Sequence, residues 1–128
     1  NAVLKVKSNM DSGMFYGIQQ GAIAALQAQE SWFEKLNDIY RQRRKLIFEL
    51  ASLLNTDFDA HNSGLFVWAK MRDTSKSSVE YIEEILQNHH IFIAPGSIFG
   101  SQGEGYIRLS LCVEELQISK ALERIRKA

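Results

Sequence analysis

Cysteine and proline are nearly missing from this chain: there is one of each, Cys112 and Pro95, in 128 residues. One cysteine cannot close an internal disulfide, and it suggests a reducing compartment, so the cytoplasm is the expected location. Net charge is absent as well. Lys and Arg together number 15, as do Asp and Glu, which leaves no electrostatic footprint for nucleic acid or an anionic membrane. No apolar run reaches the ~18 residues that a membrane-spanning helix needs. An initiating methionine is lacking too. The chain opens at Asn1, inside what reads as a strand or loop, and the expectation is a piece of a longer protein. There is no internal repeat, low-complexity tract or linker, and the length is that of one domain.

Against these absences, 45% of the residues are hydrophobic, enough to build a core that hides roughly two-thirds of the unfolded surface. Glycine is concentrated in one place. The stretch 94–112, A-P-G-S-I-F-G-S-Q-G-E-G-Y-I-R-L-S-L-C, holds Pro95 and four of the eight glycines: Gly96, Gly100, Gly103 and Gly105. A loop so rich in glycine makes turns that a Cβ would block. The run that follows alternates. Ile107, Leu109 and Leu111 point one way; Tyr106, Arg108, Ser110 and Cys112 point the other. A guanidinium is therefore expected on a strand, away from the aliphatic face, just after a tight loop. That is a rigid place from which to hold an anion, because the planar fork of Arg matches a carboxylate. The alternative is a solvated Arg on an edge strand.

The residues P-G-x-x-F-G-x-x-G-x-G-Y-x-R-L-S (95–110) resemble the C-terminal signature of class I/II aminotransferases, the fold-type I pyridoxal-phosphate enzymes. In that family the Arg of the motif binds the α-carboxylate of the amino-acid substrate, and Arg108 is the matching position. The segment S-N-M-D-S-G-M-F-Y-G-I-Q-Q-G-A (8–22) resembles the stretch just before the family's interdomain helix. There, polar residues lie near the dimer interface, close to the neighbouring subunit's cofactor phosphate; Ser8, Asn9 and Ser12 match them. A plain loop and helix cap is the alternative for these three. S-G-L-F-V-W (63–68) resembles the family's small-domain G-x-F-x-W strand.

Along the chain, Val3, Leu4 and Val6 read as the end of a strand. Lys5 and Lys7 are rejected as cofactor-bearing lysines, because no G-x-R-x-G segment follows them; the resemblance puts the Schiff-base lysine upstream of Asn1. Asp11 or Ser12 can cap a helix whose stripe is Met14, Phe15, Ile18, Ala22, Ala25 and Leu26. Ser31 and Glu34 form a capping box for a long helix with the stripe Phe33, Leu36, Tyr40, Ile47, Leu50 and Leu54. Its basic run, Arg41, Arg43, Arg44 and Lys45, reads as a solvated face with a Lys45–Glu49 pair, or else as an anion site. Asn55 can end this helix in the left-handed conformation.

Residues 58–71 read as strand, turn, strand, with Leu65, Val67, Ala69 and Met71 alternating with Phe66, Trp68 and Lys70; Trp68 is taken as core. Ser77 and Glu80 make a second capping box, for a helix with the stripe Val79, Ile82, Ile85 and Leu86. His89 and His90 are adjacent and point apart, so they do not read as metal ligands. Residues 91–94 read as a short buried strand. Val113, Leu116, Ala121, Leu122 and Ile125 mark a last helix, with Arg124, Arg126 and Lys127 suiting its C-terminal end.

This order predicts an α+β fold, a two-layer domain with a short-stranded sheet and helices on one face, preceded by a long helix. The resemblance implies that residues 1–30 finish a large cofactor-binding domain and that 31–128 form the small domain. It implies pyridoxal 5'-phosphate as cofactor, amino acids and 2-oxo acids as substrates, and a homodimer when full length. The fragment alone is expected to be inactive, since no catalytic residue and no metal site falls within it. Segment 8–18 looks most like the branch near diaminopimelate, alanine and aspartate aminotransferases. Two other readings stand beside this one: an aminotransferase-like effector or interaction domain of a regulator, and an unrelated α+β binding domain.

Overall fold

Ala2, Val6 and Met10 stand four residues apart, and the chain realises that spacing as a helix, α1 (Ala2–Met10), in the computed structural model, which describes residues 1–10 and 13–127. The strand expected around Val3, Leu4 and Val6 is thus a helix. Ala2, Val3, Val6, Lys7 and Met10 line one surface, the i, i+3, i+4 relation that a strand would split between two faces. A second helix, α2, runs Tyr16–Leu26, and its N-cap is Phe15, which makes no side-chain cap hydrogen bond. Met14 and Phe15 therefore precede the helix rather than belong to its stripe. Asp11 and Ser12, the expected caps, lie outside the described residues. No residue of α1 or α2 is buried.

The third helix, α3 (Glu30–Leu53), begins one residue before Ser31, so Ser31 sits within the first turn and not at a capping position. By its contacts the chain divides into two units, 1–36 and 37–128. In the first, Trp32 and Phe33 of α3 meet edge to face with centroids 4.9 Å apart. No helix among the described residues is long and apolar enough to cross a membrane.

The second unit carries the core. Its strands are β1 (Thr56–Phe58), β2 (Phe66–Met71), β3 (Ala94–Pro95) and β4 (Tyr106–Ser110), in the order β1-β2-β4-β3 with every neighbour antiparallel. The buried strand expected over 91–94 shrinks to Ala94–Pro95, though Ile91 and Ile93 are still buried. The remaining helices are α4 (Ser78–His89) and α5 (Glu115–Arg126). Val67, Ala69 and Met71 of β2 join Ile107 and Leu109 of β4 on one face of the sheet. Ile47, Leu50 and Ala51 from the end of α3, and Leu54 just after it, pack there with Ile82 and Ile85 of α4 and Ile118 and Leu122 of α5. Burying each of the Val, Leu, Ile and Met side chains among them stabilises the fold by about 1.5–3 kcal/mol. The expected α+β class, with helices over one face of a short-stranded sheet, is the fold observed.

Several expected core positions are displaced. Val79, Leu86, Val113 and Leu116 are exposed, and Ile118, not singled out from the sequence, is buried. The aliphatic residues outnumber the places under the sheet, so helix rotation, which only packing fixes, selects among them. Trp68 is not in the core either. It lies between Val67 and Ala69, so the pleat turns it to the opposite face, where it is only partly buried.

The end of α3 shows how the backbone is satisfied. Asn55 adopts φ 51° as expected, Thr56 donates its hydroxyl to the Ala51 carbonyl at 2.7 Å, and Tyr81 of α4 donates to the Leu54 carbonyl. These partners meet carbonyls that a helix end leaves open. The basic run of α3 is spent the same way. Arg43, largely buried, donates to Glu115 at 2.9 Å and to the Leu111 carbonyl, Arg44 donates to the carbonyls of Asn62 and Gly64, and Arg41 pairs with Asp38. Glu49 pairs with Arg126 of α5 rather than with Lys45. Arg43 and Arg44 are therefore cross-links inside the second unit, not a solvated face.

Candidate functional site

Arg108 occupies the middle of β4, a central strand, opposite Trp68 of β2 on one side and Ala94 of β3 on the other. The pleat sends it away from the aliphatic layer, as the alternation of 106–112 predicts, but the edge-strand alternative does not hold: β4 has a neighbour on each side. The side chain is partly buried. Its guanidinium carbon lies 4.3 Å from the Phe66 ring centroid and 4.2 Å from that of Phe99. The two aromatic faces attract and hold the cation.

Two further rings brace the pair. Trp68 stacks on Tyr106 with centroids 5.5 Å apart and meets Phe99 edge-on at 5.8 Å. Among the described residues, none accepts a hydrogen bond from the Arg108 side chain. A guanidinium has five N–H donors, and here the two rings hold it while leaving those donors uncommitted. The arrangement presents a planar, pre-oriented fork to an anion of matching shape. A cleft of about 360 Å³ opens beside it, with Phe92, Ala94, Arg108, Ser110 and Arg124 in its lining.

The glycine-rich loop delivers Phe99. It folds into two short 3₁₀ turns, Gly96–Phe99 and Ser101–Gly103, packed so tightly that side chains are excluded. A Cβ on Gly96 would stand 2.2 Å from the Gly103 carbonyl oxygen, and one on Gly103 would stand 2.0 Å from that of Gly96. Gly100 links the turns at φ 118°, where a Cβ is strained.

The loop is also tied to α4. The Glu104 carboxylate accepts from the Ser78 backbone N–H at 2.6 Å, from the Ser78 hydroxyl at 3.2 Å and from the Gly105 N–H at 3.2 Å. The Ser78 N–H, above all, holds the Glu104 carboxyl below the usual carboxylate range. Ser77 and Glu80 complete the expected capping box at the same helix end.

Ser8 and Asn9, also singled out from the sequence, belong to the first unit. Ser8 and Asn9 are exposed on α1, and both donate to the Lys5 carbonyl, at 3.2 and 2.7 Å; Ser12 lies outside the described residues. His90 ends α4 at φ 54°, and His89 Nδ1 is buried with no hydrogen-bond partner among the described residues. No group of three His, Cys, Asp or Glu able to hold a metal is found among them. Sequence reasoning missed Phe66, Phe99 and Glu104. The first could have been found by carrying the β4 alternation across to β2; the other two depend on how the loop folds back.

Residues 1–125 match the family model for aminotransferase class I and II. The chain is 35% identical over 123 residues to an LL-diaminopimelate aminotransferase of Maridesulfovibrio salexigens, covering 96% of this chain and 31% of that protein. It is 36% identical over 121 residues to the LL-diaminopimelate aminotransferase of Oleidesulfovibrio alaskensis, covering 94% and 31%. The chain thus spans about a third of the length of the curated relatives it matches. Among solved structures, apo-BacF of Bacillus subtilis superposes with a TM-score of 0.75 at 30% identity, over 98% of this chain and 32% of that one. An aromatic aminotransferase of Pyrococcus horikoshii gives 0.73 at 29% identity, over 86% and 30%.

Proposed function

Because the chain belongs to the class I and II aminotransferases, we propose that it is the C-terminal part of an enzyme moving an amino group between an amino acid and a 2-oxo acid. Residues 1–30 would complete the large domain and 31–128 would be the small domain. Arg108 is assigned to the substrate's α-carboxylate. The observation that carries this is the guanidinium held between Phe66 and Phe99 with its donors uncommitted. The two rings hold the cation without using its N–H donors, and a carboxylate meets such a fork with two parallel hydrogen bonds.

The family implies pyridoxal 5'-phosphate, which supplies the electron sink for amino transfer when bound. The residues described here do not by themselves fit that group. Every lysine among them is exposed, and none lines the cleft beside Arg108. The chain alone is therefore expected to turn over no amino donor. Its own contribution is placement: holding the carboxylate fixes the Cα substituents of the substrate, and orientation of that kind is worth several kcal/mol of a barrier. The same reading makes the full-length protein a cytoplasmic homodimer, with Ser8, Asn9 and Ser12 near the partner's cofactor phosphate. The exposed apolar residues of the first unit, among them Val3, Phe15 and Leu26, support a further protein surface over this unit.

The test is Arg108→Lys in the full-length protein. Lys keeps the charge and loses the two-pronged contact. The expected result is a fall in kcat/KM for amino acids of roughly 10- to 100-fold, the value of about 1.5–3 kcal/mol for a charge-assisted hydrogen bond. The matching decarboxylated amines should lose far less. Equal losses for both donors would reject the assignment.

A further inference from the structure

We infer that Glu104 is a positioning residue for Arg108: its carboxylate fastens the glycine loop to the N-terminus of α4 and so fixes the Phe99 ring against the guanidinium. The inference rests on the reading of Arg108 as the carboxylate clamp.

Ser78 is the first residue of α4 and is fully buried. Its backbone N–H is one of the donors that a helix start leaves without an intrahelical partner. Glu104 meets that donor at 2.6 Å, and the positive end of the helix favours a carboxylate there. The Ser78 hydroxyl stands 3.2 Å from the same carboxylate and 3.0 Å from the hydroxyl of Ser97. Ser78 has one hydroxyl proton, so a relay in which Ser97 donates to Ser78 and Ser78 donates to Glu104 satisfies both contacts. Ser97 belongs to the first 3₁₀ turn, which ends at Phe99; Glu104 directly follows the second. One carboxylate thus anchors both turns to α4. The turns cannot slide past each other, because Gly96 and Gly103 are in backbone contact. The height of Phe99 over Arg108 is then set by the anchored pair of turns and not by Phe99 alone.

The full-length protein provides the test, with Glu104→Ala as the main variant. Glu104→Gln, which keeps an acceptor without the charge, replaces it if the first does not fold. Amide hydrogen exchange at residues 96–105 reads the loop itself. Glu104→Ala is expected to speed exchange at Gly100 and Gly103 about tenfold, and Glu104→Gln about threefold. In kinetics, KM for an amino acid should rise about tenfold, while kcat, and KM for the decarboxylated amine, stay within about twofold. Combined with Arg108→Lys, Glu104→Ala should add no further loss for amino acids, since the same contact is removed once. Unchanged exchange in a folded variant overturns the inference, as does an equal KM rise for both donors. If Arg108→Lys harms both donors alike, the clamp reading fails, and faster or unchanged exchange still decides whether Glu104 anchors the loop.

Discussion

Gly103→Ala tests how the loop over Arg108 is built. An added Cβ would lie 2.0 Å from the Gly96 carbonyl oxygen and 2.6 Å from its carbon, where ordinary contact begins at 3.4 Å. The turns must separate by more than about an ångström, and both obstacles are backbone, so no side-chain rotation relieves them. Overpacking usually costs about 1–3 kcal/mol; a rigid neighbour places this case near 3. Gly100→Ala is the control. It meets nothing within 4 Å but sits at φ 118° and ψ 169°, backbone that essentially only glycine adopts, so it carries backbone strain alone, about 1–3 kcal/mol. Urea unfolding of the 128-residue chain reads the difference. With an m-value of about 1.5 kcal/mol/M, the midpoint should fall by about 2 M for Gly103→Ala and by roughly 0.7–2 M for Gly100→Ala. Phe99 should also lose its fixed place over Arg108, and in the full-length protein amino-acid KM should rise with it. An unchanged midpoint for Gly103→Ala would refute the close packing of the turns.

Two further outcomes follow from the same structure. Ile107 is fully buried on β4, so Ile107→Ala should cost about 2–5 kcal/mol in the same unfolding assay, while Val79→Ala, at a position 44% exposed, should cost far less. Glu104 has its folded-state acidity raised by the Ser78 N–H, that is, its pKa lowered. Its contribution to stability is therefore complete above the ordinary glutamate value of about 4.3 and is lost as pH falls through the lowered folded value. The stability gap between wild type and Glu104→Gln should be open at pH 7 and close in strong acid; a gap that widens on acidification would contradict the assignment.

Local chemistry that acts over a few residues was legible before any coordinates. The alternation of 106–112 placed Arg108 on the correct face because the pleat has a period of two and admits no compromise. Ser77–Glu80 and Asn55 were readable because a cap is made by residues within one turn of each other. The same rules failed where two local patterns fit. Val3, Leu4 and Val6 satisfy a strand and a helix alike, and short apolar runs of that sort do not separate the two. Ser31–Glu34 has the letters of a capping box, yet the helix starts one residue earlier.

What no local rule reaches is the pairing that makes the site. Phe66 and Arg108 lie on strands whose register only the folded sheet sets. Glu104 and Ser78 are 26 positions apart and meet only because the glycine loop folds back on α4. On the proposed reading, the motif residues of 95–108 mark where an anion is held. Their partners are what make the holding rigid: a helix end that needs an acceptor, and a loop too tight for a Cβ. A donor fork fixed before its ligand arrives loses less freedom on binding than one that must first be ordered. On that argument the two rings and the Glu104 anchor belong to the proposed function of Arg108 as much as its own guanidinium does, although nothing in the alternation of β4 announces them.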